Sequence, residues 1–176
     1  MKKKTSPTSL DKALIESAKA GDPDRVKDSL LAGADIHTEN DQAFRWAAEK
    51  GHLEVVRILL DGGADIHVYD DCSLIWAATA GHLEVVQLLL DRGANIHARA
   101  DRALRWAAGD GRADIVMLLI DHGANLDIVI EAAKEGKDHK MLDMLNRVKR
   151  SREEKSILLA EVPKPHRAPL PGMIRM

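Results

Sequence analysis

Three histidines return at one interval. His37, His67 and His97 stand thirty residues apart, in a chain of 176 residues with eight histidines. Imidazoles in register invite two chemistries, metal ligation and proton transfer. The only three tryptophans, Trp46, Trp76 and Trp106, keep the same interval. Arg45 and Arg105 each precede one of them, with Ile75 between. Indoles edged by guanidinium groups offer recognition chemistry, because Trp and Arg carry much of the binding energy in protein interfaces. The other reactive types form no constellation. The single Cys72 leaves no disulfide framework and no cysteine zinc site. Its place in the period holds Gln42 and Arg102 elsewhere, which marks the thiol as incidental. The Gly-Gly and Gly-Ala pairs fall at the same period as helix terminators, not in a phosphate loop. The expectation is a chain with no catalytic residues and no cofactor.

The elements that place these residues are repeats. Gly33-Ala34-Asp35-Ile36-His37 returns as Gly63-Ala64-Asp65-Ile66-His67, as Gly93-Ala94-Asn95-Ile96-His97 and as Gly123-Ala124-Asn125-Leu126. Arg45-Trp46-Ala47-Ala48 returns as Ile75-Trp76-Ala77-Ala78 and Arg105-Trp106-Ala107-Ala108. Gly51-His52-Leu53-Glu54-Val55-Val56 returns as Gly81-His82-Leu83-Glu84-Val85-Val86, then in degraded form as Gly111-Arg112-Ala113-Asp114-Ile115-Val116. A fixed period of this size marks a solenoid of stacked units. Within a unit, Asp41 precedes a short helical stretch and is expected to cap its first amides, as are Asp71 and Asp101. Gly51 ends that helix, and a second helix follows with Val55, Val56, Leu59 and Leu60 at helical spacing. Neither helix is long enough to stand alone in water, so neighbouring units must share stability.

Stacking also settles the metal question. Packed helices lie about 8–10 Å apart, whereas zinc holds its nitrogen ligands at about 2.0–2.1 Å. Equivalent histidines in successive units therefore cannot share an ion, and no metal is expected. Each imidazole is expected to bond to loop backbone instead.

These motifs resemble the ankyrin repeat, whose usual pattern runs T-P-L-H-x-A-A, then G-H-x-E-V-V-x-L-L-L, then G-A-D-x-N. The resemblance covers about residues 10–146. It implies an all-α solenoid of about five stacked helix-turn-helix units, and a role in protein–protein interaction. Two features depart from the family pattern. The T-P-L-H box is replaced by Gln42-Ala43-Phe44-Arg45, Cys72-Ser73-Leu74-Ile75 and Arg102-Ala103-Leu104-Arg105. The period is thirty rather than the family's usual value of about 33. The missing residues fall where the family carries a β-hairpin finger, so short loops are expected there. In this short form the repeat is similar to those of giant viruses and of bacteria that live inside eukaryotic cells. That likeness implies an effector acting on a host.

Two residues along a helix are about 200° of rotation, so each Trp faces away from the row of Phe44, Leu74 and Leu104. Such indoles form either a recognition surface or a packing layer over the neighbouring helix, and the sequence leaves both open. The residues expected to meet a partner are Arg45, Trp46, Tyr69, Trp76, Arg105 and Trp106. Charge is segregated. Residues 1–8 carry +3 and residues 147–176 carry +5, so a net charge of −2 leaves −10 on residues 9–146. An acidic body argues against phosphate-backbone binding and favours another protein as partner. A nucleic-acid factor using the basic tails, and a protein that assembles through its own ends, are the alternatives. The reading is a basic tail over 1–9, a repeat domain over 10–147 and a basic, Pro-rich tail over 148–176. The tail's Val148–Val162 stretch is expected to form a helix that folds back over the last unit. No apolar run is long enough for a membrane span. A cytoplasmic setting, the host's for an effector, and a monomer when unbound complete the expectation.

Overall fold

The computed structural model describes residues 6–135 and 139–160. Among these residues ten helices follow one another: α1 (Ser9–Ala20), α2 (Pro23–Leu31), α3 (Thr38–Lys50), α4 (Leu53–Asp61), α5 (Val68–Ala80), α6 (Leu83–Asp91), α7 (Ala98–Gly109), α8 (Ala113–Asp121), α9 (Leu126–Glu135) and α10 (His139–Ala160). No strand occurs among the described residues. The helices form five antiparallel pairs. Inner helices α1, α3, α5, α7 and α9 stack in one row, and α2, α4, α6 and α8 in a second. This is the expected all-α solenoid, with short loops in place of β-hairpin fingers.

Local chemistry starts and stops the helices. Asp11 N–H donates to Thr8 Oγ1 at 3.2 Å, and Thr8 N–H donates to Asp11 Oδ2 at 2.8 Å, a reciprocal cap on α1. Asp22 caps α2, with Pro23 at its first position. The turn inside each pair is also a contact between pairs. Gly21 ends α1 at φ +75°, and the His52 ring of the next unit lies against it. A Cβ on Gly21 would come within 2.5 Å of His52 Nδ1. His52 Nε2–H donates to Lys19 O at 3.1 Å, and His82 repeats the bond on Glu49 O at 3.0 Å. The turn histidines thus satisfy carbonyls at the end of the preceding inner helix, which would otherwise be left over.

The core is one continuous cluster along the stack. Val55, Val85 and Ile115 hold one repeat position and are fully buried, as are Leu59, Leu89 and Leu119 at another. In the first unit these positions carry Arg25 and Ser29, and Asp28 stands where Ile58 and Leu88 do. Polar groups on that side close the stack, as a terminal unit must. At the other end Met141 and Leu145 are buried in the core cluster. The expected fold-back of the C-terminal helix does not occur. Helix α10 runs without a break from His139 to Ala160, so residues 148–160 prolong the last helix instead of turning over it. The apolar edge is already covered, and Lys149 Nζ pairs with Asp127 Oδ1 at 2.7 Å to hold α10 to the start of α9. The Pro-rich stretch beyond Pro163 lies outside the described residues.

The loop tips have a conformation that nothing in the periodicity announces. Glu39, Asn40 and Asp41 all have positive φ (53°, 56° and 54°), as do Tyr69-Asp70-Asp71 and Arg99-Ala100-Asp101. Each is a left-handed turn leading into an inner helix, at a cost of about 1–2 kcal/mol per residue. Asp41 is therefore not in the extended conformation from which a capping side chain reaches its own first-turn amides. The expected caps at Asp41, Asp71 and Asp101 give way to a different use of those carboxylates, described below. Ala100 (φ +57°) has no side-chain hydrogen bond to offset the cost. Ala100→Gly should stabilise the protein by about 0.5–1 kcal/mol, the left-handed penalty less glycine's entropy. Urea denaturation measures this, and a loss of stability, as at an ordinary helical alanine, would contradict the turn.

Candidate functional site

A polar ladder positions the site. Asp11 Oδ1 accepts the Asp35 N–H at 2.8 Å, Asp41 Oδ1 accepts that of Asp65 at 3.0 Å, and Asp71 Oδ1 accepts that of Asn95 at 2.9 Å. In each case a carboxylate at the start of one inner helix holds the loop that leads into the next. The loop residue then bends its own chain: Asp35 Oδ1 accepts the His37 N–H at 3.0 Å, Asp65 Oδ1 that of His67 at 2.9 Å, and Asn95 Oδ1 that of His97 at 3.0 Å. The imidazoles close the circuit. Nδ1–H of His37 donates to Asp41 Oδ1 at 3.0 Å, that of His67 to Asp71 Oδ1 at 3.0 Å, and that of His97 to Asp101 Oδ1 at 2.7 Å. Each ring was expected on loop backbone. It meets a carboxylate instead, because the left-handed turn brings the aspartate four residues on back beneath it. Asp41 and Asp71 are each only 4% exposed, so the bonds satisfy groups that could not otherwise be buried. No group of three or more His, Cys, Asp or Glu side chains converges as a metal site among the described residues.

The ladder aligns the tips, and their side chains link up. Asn40 Nδ2 donates to Tyr69 Oη at 2.8 Å, and Arg99 Nη2 donates to the Tyr69 carbonyl at 3.0 Å. Arg45 sits over the Tyr69 ring with its guanidinium 5.0 Å from the centroid. It also donates from Nε to Asn40 O at 2.9 Å and from Nη2 to Glu39 O at 2.8 Å. Tyr69 still leaves half its surface open.

The three indoles lie in a row along α3, α5 and α7 but differ in cover. Trp46 and Trp76 are half-buried and pack against the core cluster. Lys19 Nζ lies 5.0 Å from the Trp46 ring centroid and Lys50 Nζ 5.7 Å away. A small hollow of about 120 Å³ lies between α3 and α5, lined by Gln42, Arg45, Trp46, Glu49 and Trp76. Trp106 is 44% exposed, with the Arg102 guanidinium 4.9 Å from its ring centre. At the position before the indoles, Arg45 is half-buried, Ile75 is buried and Arg105 is exposed. The six candidate residues thus divide. Arg45 and Tyr69 belong to the loop tips, Trp46 and Trp76 to packing with open edges, and Arg105 and Trp106 to open surface. Cys72 is buried, and its burial pushes the thiol pKa up, away from the reactive thiolate.

Comparison with known families agrees with this geometry. A model of ankyrin repeats in three copies matches residues 14–100, and a single ankyrin-repeat model matches residues 102–131. The chain is an ankyrin-repeat protein. Comparison with curated proteins returns no match. Ankyrin repeats generally serve as protein–protein interaction modules, binding scaffolds rather than enzymes. Among the described residues no helix of this ankyrin-repeat chain is long and apolar enough to cross a membrane. What the residue pattern missed was the ladder. Its signal was present, since Asp11, Asp41, Asp71 and Asp101 keep the interval of the histidines four residues before the last three.

The first rung carries a pH dependence. The N–H of Asp35, and then the N–H and hydroxyl of Thr8, hold the Asp11 carboxyl below its ordinary 3.8. A depressed folded-state pKa contributes stability that is present above the unfolded value and lost as pH falls through the folded one. The urea midpoint should therefore drop on acidification below about 4, and Asp11→Asn should flatten that part of the profile. An unchanged profile in Asp11→Asn would remove Asp11 from the ladder.

Proposed function

We propose that this ankyrin-repeat protein works by binding another protein, as an adaptor or as an inhibitor that occludes its partner, and not by catalysis. The domain over 10–147 presents the surface, with 1–9 and 148–176 as basic flanks. The binding face is the inner-helix row of Trp46, Trp76 and Trp106 with Arg105, bordered by the tips that carry Arg45 and Tyr69. The observation that carries this reading is Trp106. A large aromatic left 44% exposed beside the exposed Arg105, in a row whose other indoles, Trp46 and Trp76, are half-buried, is the composition of an interface centre. On the resemblance of the short repeat form to viral and intracellular bacterial repeats, we propose a host protein in the cytoplasm as partner, and separately that the chain is a monomer before binding.

Arg105 and Trp106 also make the better test. Arg45 holds two loop carbonyls, so replacing it would disturb the tip as well as the face. The expected experiment is affinity capture from host-cell extract with the full chain, then titration of the captured protein. Arg105→Glu and Trp106→Ala should each weaken binding about tenfold or more, the range of interface hot spots, with an unchanged helical spectrum. Parental affinity in both variants would overturn the inner-face assignment.

A further inference from the structure

The outer helices carry a second surface that the inner-face reading does not use. A groove of about 620 Å³ crosses α4, α6 and α8. Leu83, Leu88, Met117 and Leu118 supply apolar surface, while Glu84, Asp91, Asp114 and Asp121 supply acid. Arg57 is the basic residue that reaches it, and its Nε lies 3.7 Å from a Glu54 carboxylate oxygen.

The acids stand in two pairs. Glu84 and Asp114 occupy the first turns of α6 and α8, and Asp91 and Asp121 end the same helices. Seven residues separate the ends, about 10 Å along a helix. The first pair suits its helix dipoles, but the second opposes them, since a carboxylate at a helix C-terminus costs about 0.3–1 kcal/mol. One unit earlier that cost is met inside the chain, where Arg92 Nη1 pairs with Asp61 Oδ1 at 2.8 Å. Among the described residues Asp91 accepts from the Gln87 amide at 2.8 Å and has His122 Nε2 3.9 Å away. The position that carries Arg57 on α4 becomes Gln87 on α6 and Met117 on α8, so along those two helices the repeat position turns from basic to neutral and gains a pliable apolar wall.

We propose that the α6–α8 groove docks a basic amphipathic helix of a partner protein. An apolar residue of that helix would lie over Leu88 and Met117. Cations seven residues apart, one on either side of it, would meet Glu84 and Asp114 at one end and Asp91 and Asp121 at the other. The occupant is argued from charge. The groove is acidic, residues 9–146 carry −10, and a helix repeats a face every seven residues at the spacing of the two acid pairs.

The test uses the full chain and a fluorescein-labelled model peptide of about three heptads, with leucines on one face and lysines at positions i and i+7 beside them. A scrambled peptide of the same composition is the control. Fluorescence anisotropy should show the patterned peptide binding about tenfold or more tighter than the scrambled one. The double variant Asp91→Lys, Asp114→Lys should remove that preference at unchanged melting temperature. Trp106→Ala should keep it, which separates this groove from the inner face. Equal binding of the two peptides would mean diffuse charge attraction and overturn the proposal. So would an undiminished preference in the double variant, or its loss in Trp106→Ala. Dimers or longer species of the free chain that dissociate in the double variant would assign the groove to a second copy, and would overturn it as well.

Discussion

The structure depends on one recurring bond, the carboxylate at the head of an inner helix that accepts the amide of the loop one unit on. Among the described residues three such bonds are present, from Asp11, Asp41 and Asp71. Helix packing alone would allow neighbouring units to slide or rotate against each other, because Leu, Val and Ala surfaces are forgiving in register. A buried carboxylate that must meet one particular amide of the next unit is not forgiving. Leaving its amide unpaired costs about 1–3 kcal/mol, so each unit is fixed to the next at the tip. At Asp41 and Asp71 left-handed turns accompany this bond. They are unfavourable for the residues that make them, yet they aim the aspartate at the neighbouring loop and fold the histidine ring back over it. Strain of this kind persists only where surrounding bonds over-determine it; each turn here is held by an Asx bond and an imidazole–carboxylate bond, and those at Asp41 and Asp71 also by the bond to the next unit.

Function follows from that rigidity. The indoles of Trp46, Trp76 and Trp106 repeat at the unit spacing because the framework beneath them repeats. Their differing exposure comes from what surrounds each one. Trp46 has lysines from two units over its ring, Trp76 sits midway along the row, and Trp106 has open surface beside it. A partner would meet a pre-formed face and would not have to order it, which lowers the entropic cost of association.

Much of this was legible in the residues. The interval, the helix pairs, the glycine turns and the polar first unit are all written in residue types that allow one reading. Two things were not. Aspartate before a helix is most often a cap, and only the conformation of Glu39-Asn40-Asp41 shows otherwise. Asn and Asp tolerate positive φ, but Tyr69, Arg99 and Ala100 carry no such mark. Tyr69 and Arg99 are held by bonds to residues about thirty positions away, and the turn at Ala100 by the bond between His97 and Asp101. The second task of Arg45 was hidden for the same reason, since a guanidinium beside an indole gives no sign of its bonds to the Glu39 and Asn40 carbonyls. The course of α10 was the other miss. A charged stretch after a terminal unit can turn back or run on, and the choice rested on whether Met141 and Leu145 were already covered.

The central claim is that the aspartate ladder, and not helix packing alone, fixes the loop tips. Amide hydrogen exchange read by NMR on the full chain tests it most directly. The amides of Asp35, Asp65 and Asn95 lie in loops, where exchange is ordinarily fast. If the ladder holds, these three should exchange as slowly as interior amides of α4 and α6, and the Asn95 amide should lose that protection in Asp71→Ala while those helices keep theirs. Fast exchange of all three in the parent chain would contradict the account.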